Sequence, residues 1–262
     1  MSARLELTVR SEADIVAAIA VADGPERTNE DMTIHLDQRP LNPVEISAGH
    51  GGRLHLLGAV APGRLTIEYS ATAVGSTPTP AVTAIDAYQY ARPSRFCQSD
   101  QLGPIARSEF AGLAGRELLD AVSSWVGANV TYLPGSSRPT DGAVTTMLSR
   151  AGVCRDFAHL AAALLRANGV PARIASVYAP GLEPMDFHAV AEACLDGSWW
   201  VVDPTTLAPR SSLLRIATGV DATDTAFLTT LRGHVEMDNL NVTAVVEPWL
   251  PNDDLTRLVT LS

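Results

Sequence analysis

Hydrophobic and polar residues alternate one by one over three stretches near the start of the chain. Leu5, Leu7 and Val9 alternate with Glu6, Thr8 and Arg10. Met32, Ile34 and Leu36 alternate with Thr33, His35 and Asp37, and Leu65, Ile67 and Tyr69 with Thr66, Glu68 and Ser70. A period of two sends successive side chains to opposite faces, so each stretch predicts a half-buried β-strand. Turn signals stand between them at Asp23-Gly24-Pro25, Gly49-His50-Gly51-Gly52 and Pro62-Gly63. Residues 1–95 therefore read as an antiparallel β-domain, sandwich-like in type. Gly75-Ser76-Thr77-Pro78-Thr79-Pro80 cannot pack inside an element and reads as the start of a linker, with irregular chain following to about Leu102.

The period becomes helical from about Pro104. Leu118, Leu119, Val122, Trp125 and Val126 share one face of a helix, and a short helix follows Asp141. A third starts near Cys154, where Phe157, Leu160, Ala161, Leu164 and Leu165 form an apolar stripe that Gly169 and Pro171 end. Strands are expected at Arg173–Tyr178, Phe187–Leu195, Trp199–Asp203 and Asn241–Glu247. The fold class is thus α+β: the N-terminal β-domain, then a second domain over residues 96–262 with helices packed on an antiparallel sheet.

Composition narrows the function classes. Of 262 residues, 46% are hydrophobic and 18% charged, which is enough apolar material for a sizeable core. A net charge of −10 repels phosphate backbones and argues against nucleic acid as a partner. Without a dense Lys/Arg run, an anionic membrane surface is not expected either. The start, Met1-Ser2-Ala3-Arg4-Leu5-Glu6-Leu7, lacks the apolar stretch of a signal peptide, so the expected location is cytoplasmic. In a reducing compartment Cys97, Cys154 and Cys194 are not a disulfide framework. Oligomeric state is not encoded in any pattern here.

The chemistry centres on Cys154. A cysteine in the first turn of a helix feels the positive end of the helix dipole, which favours thiolate, and neighbouring backbone N–H groups can serve a developing oxyanion. Taken alone, such a cysteine is more often a small buried packing residue. The residues downstream change that balance. Asp196-Gly197 is a two-residue hairpin signal; if Leu195 pairs with Ser198, His188 falls opposite Thr205 and Asp203 becomes its diagonal neighbour. A carboxylate on one imidazole nitrogen frees the other to act on a thiol. Asp156 is expected to cap the helix start, and His159 is too poorly placed on the helix to share a face with Cys154. Tyr132 and Trp199 could line the cleft or belong to the core. Zinc ligation by Cys154, His159, His188 and Asp203 lacks a supporting Cys-x-x-Cys pair, so neither metal nor cofactor is assigned.

The run Gly152-Val153-Cys154-Arg155-Asp156-Phe157-Ala158-His159-Leu160 resembles the nucleophile motif of bacterial transglutaminase-like proteins. Gly169-Val170-Pro171-Ala172-Arg173 resembles that family's entry to the core sheet, Asp186-Phe187-His188-Ala189 its histidine motif, and Trp200-Val201-Val202-Asp203-Pro204-Thr205 its acid motif. The resemblance extends to Pro62-Gly63-Arg64-Leu65 and to the run from Arg92 to Asp100. Many members carry Trp two residues after the histidine, where this chain has Val190, a change expected at the pocket wall. The resemblance implies a papain-like core with Cys154, His188 and Asp203 as catalytic triad. It implies a hydrolase or acyl transferase that acts on an amide or peptide bond through a thioacyl intermediate. Hydrolysis is favoured over cross-linking because the calcium loops of animal transglutaminases are not evident. The expected partner is a peptide, protein or small amide substrate. The alternative is a non-catalytic interaction module that keeps the fold.

Overall fold

The computed structural model describes residues 1–75 and 81–261; the expected linker from Ser76 to Pro80 lies outside the described residues. The N-terminal strands are β1 (Ser2–Ala17), β2 (Glu26–Leu36), β3 (Arg39–Pro40), β4 (Val44–Ser47), β5 (Arg53–Val60) and β6 (Gly63–Val74). After them come α1 (Ala84–Gln89), α2 (Ser99–Glu109), α3 (Gly115–Asn129), β7 (Thr131–Tyr132), α4 (Ala143–Ser149), β8 (Ala151–Gly152) and α5 (Cys154–Ala167). The chain closes with β9 (Ala172–Tyr178), β10 (Phe187–Leu195), β11 (Ser198–Val202), β12 (Leu214–Gly219), α6 (Ala222–Thr225) and β13 (Leu228–Thr243).

All three alternating stretches are strands, and their apolar sets face inward: Leu5, Leu7, Val9, Leu65 and Ile67 are buried. Hydrogen bonds join the first six strands in the order β3-β2-β6-β1-β5-β4, with β13 added along β1, so they make one continuous sheet rather than two separate ones. The reason lies in β1. Its first half pairs with β6 and its second half with β5, and register shifts between Val9 and Asp14 let it bend between the two. Nor is this sheet confined to residues 1–95. The strand expected at Asn241–Glu247 begins at Leu228 and runs along β1 from Ser2 to Ala17. Along β13 only Val242 is buried, so the strand has almost no alternating signal. Cross-strand ion pairs assist it, Arg10–Glu236 at 2.6 Å and Arg232–Asp14 at 2.9 Å. The segment expected to be irregular to Leu102 contains α1 and the start of α2.

The second sheet has the antiparallel order β11-β10-β9-β12. Its hairpin has the register set by Asp196-Gly197, with Leu195 opposite Ser198 and Ala191 opposite Val202. Helix α5 packs on this sheet and beneath α2, α3 and α4, and every residue from Asp156 to Arg166 is buried. Among the described residues no helix is long and apolar enough to cross a membrane.

An ion triad crosses the second sheet inside the protein. Glu192 on β10 lies directly opposite Arg173 on β9. It accepts from Arg173 Nε at 2.8 Å and from both terminal nitrogens of Arg215 on β12, at 2.7 and 2.8 Å. Arg173 also lies over the Trp199 ring, 4.1 Å from its centroid, and its Nη1 is 3.0 Å from His50 Nδ1, which ties the N-terminal segment to the core. Burial pushes the Glu192 carboxyl up, but Arg215 and Arg173 outweigh it and hold it down at about 2. A depressed carboxylate stabilises the fold fully above its unfolded pKa of ~4.3 and loses that contribution as pH falls through its folded value. Glu192→Gln strands two buried guanidinium groups and is expected to cost about 3–5 kcal/mol. Urea unfolding at pH 7 checks this; a loss below about 1 kcal/mol, the scale of an exposed pair, would contradict it.

Candidate active site

Close backbone packing fixes the start of α5. A Cβ on Gly152 would lie 2.6 Å from the Asp156 Cβ, so a glycine is required for the helix to fold back here. The Asp156 carboxylate then accepts from the Val153 N–H at 2.9 Å, the capping expected of it. Cys154 follows as the first residue of α5, partly exposed where the helix from Asp156 to Arg166 is buried.

His188 is the second residue of β10 and is 1% exposed; Asp203 follows β11 and is 3% exposed. The hairpin ladder ends at Ala191 and Val202, and beyond it Asp203 Oδ2 meets His188 Nε2 at 2.9 Å. The other carboxylate oxygen accepts from the Thr205 N–H at 3.0 Å and the Thr205 hydroxyl at 2.7 Å, so Asp203 is held on both sides. His188 Nδ1 is buried without a hydrogen-bond partner among the described residues. It is the nitrogen left to face Cys154, whose thiol is close enough to stabilise the charged ring. Burial pulls His188 down, but Asp203 and then Cys154 outweigh it and carry it up to about 10. Burial likewise pushes Asp203 up, and His188 with Thr205 holds it below the usual carboxylate range.

Tyr132 belongs to this group. Strand β7 pairs in parallel with β8, with Tyr132 opposite Gly152, which sets the phenol beside the start of α5. Its hydroxyl lies close enough to Cys154 to feel the charge that the sulfur can carry. Burial, then the adjacent Cys154, pushes it up to about 12, so it stays protonated at neutral pH and can donate. The sequence marks Tyr132 only as an aromatic near the cleft, because two-residue strands leave no periodic signal.

Other candidates lie elsewhere. His159 is fully buried, stacks on Phe96 at 5.3 Å and accepts from the Ala222 N–H at 3.1 Å, away from the Cys154–His188 pair. Burial drives it down to about 3. Trp199 is a core residue under Arg173. Val190 packs with Ala175 and Val177 and takes no part in the cleft wall, contrary to expectation. Cys97 is buried and pushed up to about 11, chiefly by burial. The cleft that reaches Cys154 and His188 has a volume of about 510 Å³. A larger cavity, about 610 Å³, lies beyond Asp203 and touches neither Cys154 nor His188.

The cleft thus brings together a cysteine at the start of a buried helix and a hydrogen-bonded His–Asp pair on an antiparallel sheet. Comparison with known proteins agrees with the fold. The sequence profile of the Transglutaminase-like superfamily matches residues 110–204. A solved structure from Cytophaga hutchinsonii, described as a "putative cysteine protease", is 30% identical with a TM-score of 0.83, over 96% of this chain and 92% of that one. An uncharacterised protein of Mycobacterium leprae is 28% identical over 47% of this chain and 48% of its own length. Another, from Mycobacterium bovis, is 44% identical over 24% of this chain and 20% of its own length. The chain thus spans about half or less of these two curated relatives. It belongs to the transglutaminase-like superfamily.

The Asp203 contact can be tested directly. Asp203→Asn removes the strongest influence that raises His188 and is expected to lower its pKa by ~1–3 units. NMR titration of the imidazole reads this, and a value that stays near 10 would show that Asp203 does not set it.

Proposed function

We propose that this protein is a thiol hydrolase that cleaves an amide or peptide bond through a thioacyl-enzyme intermediate. Cys154 is the nucleophile, His188 the proton carrier and Asp203 the carboxylate that orients it. The observation that carries the reading is the buried His188–Asp203 contact at 2.9 Å, with the ring's other nitrogen unpartnered beside a helix-opening cysteine.

The steps follow from these positions. The proton shared by Cys154 and His188 rests on the ring, so the reaction starts from the imidazolium, and the sulfur forms a bond to the substrate carbonyl carbon. The carbonyl oxygen takes the negative charge; we assign the Cys154 N–H as one donor to it and the Tyr132 hydroxyl, beside Cys154, as the second. As the C–N bond breaks, His188 gives its proton to the leaving amine and a thioester remains. Water attacks that thioester and yields its proton to His188; the C–S bond breaks, the acid departs and the thiol is restored. Water is favoured over an amine as acceptor. We place this chemistry in a reducing compartment such as the cytoplasm, which suits its three free cysteines.

Cys154→Ala is expected to abolish turnover, by at least ~10⁴-fold, with an unchanged melting temperature. Full activity on a substrate of the wild type would overturn the reading. Tyr132→Phe should lower kcat by about 10²–10³-fold, the usual effect of removing one oxyanion donor. Iodoacetamide at pH 6 should alkylate Cys154 well ahead of Cys97 and Cys194; equal slow labelling would favour a non-catalytic module instead.

A further inference from the structure

The cleft beside Cys154 is mostly apolar where it runs away from the sulfur. Phe187 and Phe227 stack there with centroids 5.1 Å apart, and Ala222, Ala226 and Leu240 complete the wall. Besides His188, two charged groups line it, Arg155 and Asp186. Arg155 Nη2 is taken by Ser137, the Arg138 carbonyl and Asp156, while Asp186 stands at the exposed rim. Besides His188 Nδ1, which faces the thiol, and Arg155 Nε, one more polar atom of the cleft lining is unspent. Ser176, 6% exposed, has its Oγ buried with no hydrogen-bond partner among the described residues. It lies opposite Ala189, next along the strand from His188. A buried hydroxyl without a partner is unfavourable until a ligand supplies one.

We propose that the acyl half of the substrate carries a bulky apolar side chain seated against Phe227 and Leu240, and that Ser176 hydrogen-bonds a main-chain amide of the same segment. The substrate class is then a peptide or N-acyl amide with a leucine- or phenylalanine-like residue on the acyl side of the scissile bond. This rests on Cys154 being the nucleophile. A carboxylate or ammonium seated against those phenyl rings loses its hydration. A glutamine side chain leaves amide groups unpaired against phenyl rings. Leu240 also gives the N-terminal sheet a part in the choice, because it sits on β13 directly opposite Leu5 of β1.

The test uses the intact protein and peptidyl chloromethyl ketones that differ only in the residue next to the electrophile. Labelling forms a bond from the Cys154 sulfur to the methylene carbon and releases chloride, with the thiol proton leaving through His188 to solvent. Intact-mass kinetics give the rates, each divided by the same protein's iodoacetamide rate. Leucine and phenylalanine probes are expected to outpace glutamine, glutamate and lysine probes by at least ~10-fold. Leu240→Gln and Phe227→Ser should each cut the leucine-probe ratio about tenfold, and Ser176→Ala should cut it ~5–10-fold. Circular dichroism and melting identify folded variants, and one folded wall variant suffices. Equal rates across the probes, or faster glutamine or charged probes, would overturn the apolar assignment while leaving Cys154 as nucleophile. An unchanged ratio in Ser176→Ala would overturn the part given to that hydroxyl. If Cys154 fails to outpace Cys97 and Cys194 with iodoacetamide, the nucleophile reading falls and the substrate proposal with it.

Discussion

Everything at the site depends on a helix that is buried from Asp156 to Arg166. A helix enclosed by three others and a sheet cannot rotate or slide without opening cavities, because protein interiors are close-packed. Its polar side chains convert that immobility into positions for the surrounding loops. Near the start, Asp156 holds the Val153 N–H and so fixes Cys154. In the middle, His159 accepts from the Ala222 N–H and holds the segment that carries Ala226 and Phe227 into the cleft. At the end, Arg166 donates to the carbonyls of Ala172, Arg92 and Val220. One rigid element thus locates the sulfur, a cleft wall and the entry to the sheet.

The second support is electrostatic and sits on the strand that carries His188. Glu192 is four residues further along β10, between two guanidinium groups from the neighbouring strands. Such a triad adds little net stability over a well-packed apolar cluster, since the cost of desolvating three charges offsets their attraction. Its geometric demand is strict, however: it is satisfied only when β9, β10 and β12 hold one register. That register places Ser176 opposite Ala189 and Val177 opposite His188. The ions are thus better understood as holding the alignment of the sheet than as a source of stability.

The candidate site was legible in the sequence to an unusual degree because its parts follow local rules. A two-residue hairpin turn dictates strand register, and the pairing of Leu195 with Ser198 carried His188 and Asp203 toward one another before any distance was known. The stripe from Phe157 to Leu165 announced α5. What stayed hidden depends on contacts remote in sequence. Strand β13 is mostly exposed or half-buried and is held by hydrogen bonds and ion pairs to β1, so no periodicity marked its true start. The ion triad joins Arg173, Glu192 and Arg215 from three strands, and no spacing rule links them. Tyr132 reaches Cys154 only because β7 meets β8. Val190 was expected at the pocket wall from the family pattern, but it points into the far layer with Ala175 and Val177.

The charge state of His188 bears on how one imidazole could serve both halves of the proposed reaction. In the free protein Asp203 and Cys154 both favour the protonated ring and together carry its pKa up to about 10. An imidazolium is the right form for giving a proton to a departing amine. It is the wrong form for taking a proton from water. Forming the thioester removes the negative charge that sulfur can carry, and with it one of the two influences that hold the proton on His188. Asp203 remains, and burial, which opposes the charged ring, is no longer matched by two partners. The imidazole then becomes a better base at the stage when water must be activated. In the proposed reaction the sulfur would thus do more than attack: by gaining and losing charge it would alternate the role of the histidine, while the Asp203 contact keeps the ring in place.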